Sequence, residues 1–540
     1  MNPLDRFQQI DRSRDLDSWS IRIFFWSRST RVLGLCVAVI LLAAAGVAWT
    51  MAAPDSEGRA QKTHQLRREL ASPKPRMEAI ARAISEMPLE EAAFIFVEEE
   101  ISNSKLRETD KTLVTAMLDS LALDPPEPSA DLLYLAHYVH PVRHANECLG
   151  DLHRRAGNTE GAVDYYTREA RFPDAQTARE KLISIHCAAG NYGAATAAFQ
   201  DPRFAGAFST RARLRALAGS RQWKELIQPL LTFSRDAFQP IPLLLTAISG
   251  IVWLAIAIQA IQPPRWFCFR TVAPAIAVLA GMASTLPTLF AVLWQEEVWG
   301  LKHTGDFLSD LPYYILGVGP REELIKLAFV LPFLPVLLAR KDRLAALIVA
   351  GAVGLGFGVQ ENLQYFAEAG ATAAFARFLT ANFFHFAATG LIGLALFDCC
   401  RAPRSGILPF LGTVAAVVLA HGCYDAFIIQ GPDLIALNLI STMSFMLLSL
   451  FFFQKLRQLR DPATDHLSIG GTLVIGMAVL TGTALVCASI SLGFSSALAA
   501  LAFTAFSMVM VTYMFHWQLG EGMSHAAAEE IAAYRPFAQV

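Results

Sequence analysis

The sequence contains little charge for its length. Only 17% of its 540 residues are Asp, Glu, Lys or Arg, while 54% are hydrophobic. Soluble domains typically approach one quarter charged residues, so this balance indicates a membrane protein. The positive and negative charges also nearly cancel, since the formal net charge is −2. The sequence therefore provides no electrostatic basis for binding nucleic acid.

Two common metal and redox patterns are absent. None of the eight cysteines stands in a C-x-x-C pair, which excludes a zinc knuckle and a thioredoxin-like centre. The H-E-x-x-H motif is also absent, so no single helix provides the usual two histidine ligands for zinc. Cys148 and Cys187 fall in the polar part of the chain, and the sequence leaves open whether they form a disulfide.

Apolar runs long enough to cross a bilayer, roughly 20 residues each, are abundant. The first, 32–53, follows a basic cytoplasmic leader at 1–31, and its length favours a retained signal-anchor helix. The alternative is a cleaved signal peptide, because the small residues at 52–53 would suit a signal peptidase. Nine more runs make about ten spans and form a membrane domain at 241–516, before a cytoplasmic tail at 517–540. These nine spans lie near 241–262, 271–294, 319–339, 344–366, 376–398, 407–429, 433–453, 469–490 and 494–516.

The region 54–239 is polar, and its apolar residues recur at helical spacing. A Pro-rich break at 124–128 divides it. After the break, three tripeptides recur at close to the 34-residue period of tetratricopeptide (TPR) repeats, which predicts a TPR-like domain over about 130–235. The alternative is an irregular helical domain with glycine in its turns. The tripeptides are Ala156-Gly157-Asn158, Ala189-Gly190-Asn191 and Ala218-Gly219-Ser220, and the first is followed by the small and aromatic residues Ala162, Tyr165, Tyr166 and Ala170.

Positive charge alternates between the short loops of the predicted membrane domain. Every second loop carries Arg or Lys, whereas the intervening loops carry acidic residues. Because positively charged loops stay in the cytoplasm, this alternation predicts that both termini are cytoplasmic and that 54–239 is extracytoplasmic. The basic loop residues are Arg265, Arg270, Arg340, Lys341, Arg343, Arg401, Arg404, Lys455, Arg457 and Arg460.

Ionisable side chains inside a membrane span are costly, so each one is a functional candidate. Four consecutive spans carry them, and on the predicted topology all lie in the outer half of the bilayer. Because these side chains lie at one depth in the bilayer although their helices are antiparallel, they are predicted to form a shared site that can be reached from the outer surface. The motifs are Glu322-Glu323-x-x-Lys326, Glu361-Asn362-x-x-Tyr365, Asn382-x-x-His385 and His421-x-x-x-Asp425.

Helical spacing predicts how the first motif is arranged. Glu322 and Lys326 are i,i+4 neighbours, so the ammonium is expected to hold one carboxylate while the other acts on water. Glu322 and Glu323 point about 100° apart, so both are not expected to face one pocket squarely. Such a carboxylate is suited to act as a general base.

Spacing also predicts pairings in the later motifs. Tyr365 shares a helix face with Glu361, and its hydroxyl is expected to orient that carboxylate. Asp425 shares a face with His421 and is expected to fix the tautomer of the imidazole. An imidazole held in this way is suited to stabilise the oxyanion of a tetrahedral intermediate.

Each motif alone also has a structural explanation. Pro320 followed by two acids is how many helices begin. His385 alone is explained as a packing histidine, and Arg377 and Asp398 lie near span ends, where interfacial placement explains them. The glycines at 354, 356 and 358 permit close packing of helices.

In order and spacing, the four motifs resemble the PrsW family, which is similar to the type II CAAX prenyl endopeptidases of the ABI superfamily. The resemblance covers about 294–429. It implies an intramembrane protease of glutamic type or one that depends on a metal. Glu322, Glu323, Glu361, His385 and His421 would then be catalytic, with Lys326, Asn362, Tyr365 and Asp425 supporting them.

The resemblance also implies a biological setting. A membrane-anchored protein would be cut near the extracytoplasmic face, for example an anti-sigma factor at its first cleavage site. A multi-pass protein of a prokaryotic inner membrane is expected, with the helical repeats binding a peptide or protein. The glutamic mechanism requires no cofactor. The metal-dependent alternative requires a divalent ion such as zinc, held by Glu361, His385 and His421.

Two other classes of function remain open. A proton-coupled transporter would use the same buried Glu, His and Lys residues, but it predicts an inverted repeat that this sequence does not show. A non-catalytic receptor or scaffold would keep the fold and bind partners through the helical repeats. It predicts that replacing Glu322 or Glu361 has no effect, whereas deleting 54–239 abolishes function.

Overall fold

The structure is a computed structural model, and it describes most of the chain. Within the described residues all regular secondary structure is helical, which confirms the all-α prediction. Most of the leader 1–31, the tail beyond 519 and residues 124–126 of the Pro-rich break lie outside the described part. That part comprises residues 26–27, 29–52, 66–72, 76–85, 91–121, 127–138, 140–204, 206–263, 268–304, 307–429, 435–460 and 468–519.

The chain divides into two units. The membrane unit comprises Met1–Ala53, Ser234–Gln295 and Leu301–Val540, and the helical unit comprises Pro54–Phe233 and Glu296–Gly300. The N-terminal helix α1 (Thr30–Met51) belongs to the membrane unit. The helical unit contains α2 (Met77–Ser85), α3 (Glu91–Ser102), α4 (Glu108–Asp119), α5 (Ala130–His137), α6 (Ala145–Arg155), α7 (Thr159–Glu169), α8 (Gln176–Ala188), α9 (Tyr192–Ala198), α10 (Thr210–Gly219) and α11 (Trp223–Asp236, whose last three residues belong to the membrane unit).

Three helix hairpins form the second half of the helical unit, and their turns fall at the three predicted tripeptides. Gly157 and Gly190 adopt left-handed backbone conformations between α6 and α7 and between α8 and α9. In the third hairpin the left-handed residue is Arg221 rather than Gly219. A side chain at Gly219 would collide with the ring of Tyr192, so this glycine is required for packing. The assignment of these hairpins to the TPR class stays a prediction.

The core of the helical unit follows the small and aromatic pattern seen in the sequence. Ala162 and Tyr166 are fully buried and Ala170 nearly so, while Tyr165 is only half-buried. Cys148 and Cys187 pack in two different hydrophobic clusters, and each thiol donates to a backbone carbonyl group. The structure therefore does not join them in a disulfide.

The membrane unit continues after α11 with long apolar helices. Its helices are α12 (Pro240–Ala260), α13 (Phe269–Glu297, whose last two residues belong to the helical unit), α14 (Phe307–Pro312), α15 (Gly319–Val330), α16 (Leu334–Arg340), α17 (Arg343–Ala369), α18 (Ala374–Leu379), α19 (Ala381–Arg401), α20 (Pro403–Ile429), α21 (Ile435–Leu459), α22 (Ile469–Leu492), α23 (Phe494–Ser507) and α24 (Val509–Leu519).

The described residues contain eight helices that are long and apolar enough to span a membrane, or nine if the bent pair α23 and α24 is one span. The prediction of about ten was too high because 319–339 is not one apolar helix. Four charged residues lie in its first half, and a 3₁₀ turn at Leu331–Phe333 separates α15 from α16. Pro332 and Pro335 explain the break, since proline lacks the amide hydrogen that a continuous helix needs.

Helix α17 lies at the centre of the membrane unit and is buried along nearly its whole length. Glycines make this possible because they allow neighbouring backbones to approach closely. A side chain at Gly356 would collide with the Val278 carbonyl of α13, and one at Gly354 would collide with the His385 carbonyl of α19. The predicted packing role of these glycines is confirmed, and it brings α19 and its histidine against α17.

The segment before α15 is also unusual. Residues Tyr313–Val318 form a π-helical turn, a feature that often marks functional sites. This turn packs tightly on α20, where a Cβ atom at Gly422 would lie 2.5 Å from the Ile315 Cα atom. Gly319 packs equally closely against the Val418 carbonyl of α20. These contacts hold the start of α15 beside the part of α20 that carries His421.

Candidate active site

The polar motifs of four helices meet in one buried cluster. Helix α15 contributes Glu322, Glu323 and Lys326, all of them buried. Pro320 lies in its first turn and an acid follows, so the ordinary helix-start explanation also holds. The remaining members are Glu361 of α17, Arg377 of α18, His385 and Thr389 of α19, and His421 and Asp425 of α20.

Glu323 is the most completely bonded carboxylate of the cluster. Its Oε1 atom accepts from His421 Nδ1 at 2.8 Å and from Lys326 Nζ at 2.9 Å. Its Oε2 atom accepts from the Thr389 hydroxyl at 3.2 Å. The side chain is fully inaccessible, so both oxygen atoms are committed to protein partners.

Glu322 is more open than its neighbour. Its Oε2 atom accepts from Lys326 Nζ at 3.2 Å and lies 3.6 Å from His421 Nε2. About a tenth of the side chain is exposed, at 10%, compared with none of Glu323. The adjacent carboxylates thus both contact Lys326, but only Glu323 is fully enclosed.

Lys326 joins the two halves of the cluster. Besides both carboxylates of α15, its Nζ atom contacts His385 Nδ1 at 3.0 Å. Since an ammonium only donates, Nδ1 of His385 accepts, and Nε2–H is left to donate to Glu361 Oε2 at 3.1 Å. Lys326 is fully buried and its Nζ atom lies 4.0 Å from the centre of the Phe357 ring. The role expected from sequence, holding one carboxylate, is therefore too narrow.

His421 is held in one orientation by carboxylates on both sides. Its Nδ1–H donates to Glu323, and its Nε2 atom lies 3.4 Å from Asp425 Oδ2 and 3.6 Å from Glu322. The predicted pairing with Asp425 is present. The shorter contact is with Glu323, a partner that lies 98 positions away and that helical spacing did not indicate.

Arg377 organises the Glu361 half of the cluster. Its guanidinium donates to Glu361 Oε2 at 2.7 Å and to the side-chain oxygen of Asn362. It also stacks over the Tyr365 ring, 3.6 Å from the ring centre. Asn362 in turn donates to Asn382 Oδ1 at 2.7 Å. Arg377 is therefore a member of the cluster, a role that its position near a span end did not indicate.

Tyr365 acts differently from the prediction. Among the described residues its hydroxyl makes no hydrogen bond to Glu361, and the ring instead supports Arg377. Arg377 and Thr389 are the two site residues that the sequence did not reveal. Arg377 precedes α19 on the short helix α18, and only the fold brings it back to α17. Thr389 follows His385 by four residues, so shared helical spacing with a candidate residue was an available signal.

One edge of the cluster is accessible. The side chains of Glu361 and Asp425 are 26% and 22% exposed, and Tyr365 is 37% exposed. Glu323, Lys326 and His421 lie deeper and are almost fully buried. The cluster is therefore most accessible on the side of Glu361 and Asp425, and Glu322 is the partly open carboxylate of α15.

The donor set suits a divalent metal in its chemistry. Ligand atoms of Glu322, His385 and His421 lie within 4.8 Å of one another, and Glu with two His is a familiar zinc set. Each imidazole also has a carboxylate on one nitrogen, as metal-binding histidines usually do. The set contains Glu322 where the sequence suggested Glu361, because Glu361 instead bonds His385 and Arg377. The ammonium of Lys326 contacts two of the three donors, Glu322 and His385. A bound metal would therefore share these two donors with the ammonium or displace it.

The segment that carries the four motifs matches a known protein family. Residues 263–453, about a third of the chain, match the family described as PrsW family intramembrane metalloprotease. No curated protein and no solved structure shows significant similarity to the chain. The matched segment contains every residue of the buried cluster and extends the predicted range of 294–429 at both ends. The resemblance of residues 263–453 to the PrsW family is thus confirmed.

Proposed function

We propose that the chain is an intramembrane endopeptidase that hydrolyses a peptide bond of a membrane-anchored protein near the extracytoplasmic face. The observation that carries the proposal is the convergence of Glu322, Glu323, His385 and His421 around the Lys326 ammonium. Buried ionisable groups are costly in a membrane, and a proteolytic site explains why they are grouped beside one accessible edge.

Glu322 is the proposed general base. It is the carboxylate of α15 with an exposed part and with the fewest bonds, so water can reach it. Glu322 takes a proton from water while the water oxygen attacks the carbonyl carbon of the scissile bond. The same carboxyl then gives the proton to the departing amine, so proton and electron counts balance. This chemistry is of the glutamic type.

The other residues of the cluster are proposed to stabilise the negative charge that develops on the carbonyl oxygen during the attack. His421 Nε2 and the Lys326 ammonium provide positive or donor groups for the oxyanion of the tetrahedral intermediate. Glu323 positions both of them through bonds of 2.8 and 2.9 Å. Glu361 and Arg377 hold His385 from the other side.

The metal-dependent form of the proposal uses the same residues. Glu322, His385 and His421 would hold the ion. A bound metal would polarise the carbonyl group and favour ionisation of the attacking water. The contact of Lys326 with two of these donors favours the metal-free form, because two cations would repel each other there.

The first experiment identifies the substrate. Membrane-protein fragments are quantified by proteomics in cells that carry the wild type or Glu322→Gln, with Asp398→Asn as a control on the same unit. Asp398 is bonded to Arg343 on an exposed surface and is not part of the cluster. We expect loss of one fragment of a single-span protein, such as a regulatory anti-sigma factor, in Glu322→Gln alone. Persistence of every fragment would refute the assignment of Glu322 as the catalytic base.

A second experiment separates the two chemical forms. Purified protein in nanodiscs is assayed on the identified substrate before and after 1,10-phenanthroline, and bound metal is measured by mass spectrometry. Retained activity with no stoichiometric metal supports the glutamic form. Loss of activity that returns with zinc, together with metal that disappears in His385→Ala, supports metal held by the cluster.

A further inference from the structure

The helical unit contains a pocket of about 520 Å³ that the proposed chemistry does not use. It lies between the end of α9, residues 200–204 and 206–208, and the helices α10 and α11. Pockets of 300–1,000 Å³ are typical of sites for small ligands and for side chains of a bound segment. Its principal lining residues are Phe199, Phe204, Phe208, Thr210, Arg213 and Gln228.

One wall of the pocket is aromatic and held in place by packing. The rings of Phe199 and Phe208 meet edge to face with centres 4.3 Å apart. Phe204 packs against two hydrophobic clusters of the helical unit. The guanidinium of Arg179 lies 5.9 Å from the Phe204 ring centre and is itself fixed by three backbone carbonyls. The aromatic wall is therefore preformed rather than assembled by a ligand.

The pocket carries one positive charge that no described acidic residue neutralises. Arg213 lies over Phe199, 5.7 Å from the ring centre, and makes no ion pair within the described part of the chain. The one acidic lining residue, Asp201, is bonded to Arg203, with Nη2 and Oδ2 2.6 Å apart. Helix α10 also begins here at Thr210, so its positive dipole end adds to the attraction for an anion.

Polar groups complete the lining. The side-chain amides of Gln200 and Gln228 make no hydrogen bond to any described residue, and both residues are exposed. Such amides can donate to and accept from the backbone of an extended peptide. A phosphate headgroup would instead be expected to meet several cations, as bidentate and clustered Arg contacts are typical for it. A single cation beside three phenylalanines is better matched to a peptide.

We propose that this pocket binds a peptide segment in which an aromatic or aliphatic side chain neighbours a carboxylate. The apolar side chain enters the phenylalanine wall and the carboxylate pairs with Arg213. If the chain is the protease proposed above, the bound segment belongs to the part of the substrate outside the membrane. This assignment rests on the proposed function. The substrate class is thereby narrowed to membrane-anchored proteins with an apolar–acidic segment outside the bilayer.

The test uses full-length Glu322→Gln protein in nanodiscs, so that bound peptides are not cut. A phage-displayed library of random heptapeptides is selected on it, and the selected peptides are synthesised with a fluorophore. Their affinities are measured for this parent and for three added changes: Arg213→Gln, Gln228→Trp to fill the pocket, and Arg171→Gln as the control. Arg171 is an exposed arginine of the same unit that does not line the pocket.

We expect selected peptides to share an acidic residue next to an apolar one. Arg213→Gln should weaken their binding about tenfold, which is typical of one lost charge-assisted hydrogen bond. Changing the peptide's acidic residue to its amide should cost the same factor, and the two changes together should cost no more than either alone. Gln228→Trp should abolish binding, whereas Arg171→Gln should have no effect.

Several outcomes would overturn the assignment. One is the absence of any enriched peptide, and another is equal binding to the parent, Arg213→Gln and Gln228→Trp. Displacement of the peptides by glycerol phosphate at equal affinity would instead identify a lipid headgroup. The link to the substrate is tested separately by Arg213→Gln in the catalytically intact chain, where slower cleavage is expected. Unchanged cleavage would refute that link alone, whereas peptide binding without any cleavage in wild type would refute the protease proposal alone.

Discussion

Two adjacent carboxylates, Glu322 and Glu323, should respond in opposite ways to the same substitution. Each is changed to Gln, which keeps the size of the side chain and removes its negative charge. Glu323 accepts three hydrogen bonds and is fully inaccessible, whereas Glu322 has one bond at 3.2 Å and a partly exposed side chain. Glu323→Gln should therefore damage stability, and Glu322→Gln should damage catalysis.

The magnitudes follow from these contacts. Removing the charge of Glu323 leaves Lys326 and His421 without their closest anionic partner. Breaking a buried ion pair from one side typically costs about 3–5 kcal/mol. Glu322→Gln weakens one hydrogen bond at the edge of the cluster, which costs about 1 kcal/mol. Loss of a general base should lower the rate about 10²- to 10⁴-fold.

The assay measures both quantities on the same preparations. Thermal unfolding of each variant in nanodiscs is followed by intrinsic fluorescence, and cleavage of the identified substrate is measured per folded molecule. Glu323→Gln should show the larger fall in Tm and the smaller fall in specific activity. If folded Glu323→Gln were inactive while Glu322→Gln kept a tenth or more of the wild-type rate, Glu322 would not be the base.

Three further predictions concern other parts of the chain. Arg377→Gln frees Glu361, so cleavage should slow about tenfold for one lost charge-assisted bond while the protein still folds, as measured by specific activity and size-exclusion chromatography. Gly354→Ala should lower Tm and activity because its Cβ atom collides with the His385 carbonyl, whereas Gly412→Ala, with open space around it, should change neither. Burial opposes the charge of Glu147, but His144 and Lys181 hold its pKa at about 2, below the ordinary value of 4.5. The contribution of the Glu147 carboxylate to stability is complete above pH 4.5 and is lost as the pH falls towards 2. Cleavage of α6 by pepsin should therefore increase as the pH is lowered over this range. In Lys181→Met this increase in cleavage should begin at a higher pH.

Much of the candidate site could be predicted because its residues lie in local motifs. The pairs Glu322 with Lys326 and His421 with Asp425 follow from the i,i+4 geometry of one helix, and both are present. The high cost of burying charge in a membrane also led to the prediction that the four motifs share one site. The bonds between helices did not follow in this way. The contacts of Glu323 with His421 and of Lys326 with His385 depend on the axial offset and rotation of neighbouring helices, which local spacing does not specify.

The number of spans shows a different limit. The region 319–339 has enough length and apolar residues for a span, and hydropathy alone does not distinguish a broken helix from a continuous one. Pro332 and Pro335 were visible in the sequence, but their effect depends on whether neighbours satisfy the freed carbonyl groups. In the structure α15 is a short helix with the acidic cluster in its first turns.

The sequence by itself determined the membrane class, the all-helical architecture, the hairpin turns of the helical unit and the four motifs of the PrsW-like segment. These properties depend on composition and on spacing within single helices, so they can be read locally. The tertiary structure alone decided that Lys326 joins the two halves of the cluster, that Arg377 belongs to it, and that Glu322 is more open than Glu323. It also decided that Arg213 lies beside three phenylalanines in a pocket. Each of these depends on which helix faces are in contact, and such contacts arise only when distant segments pack together.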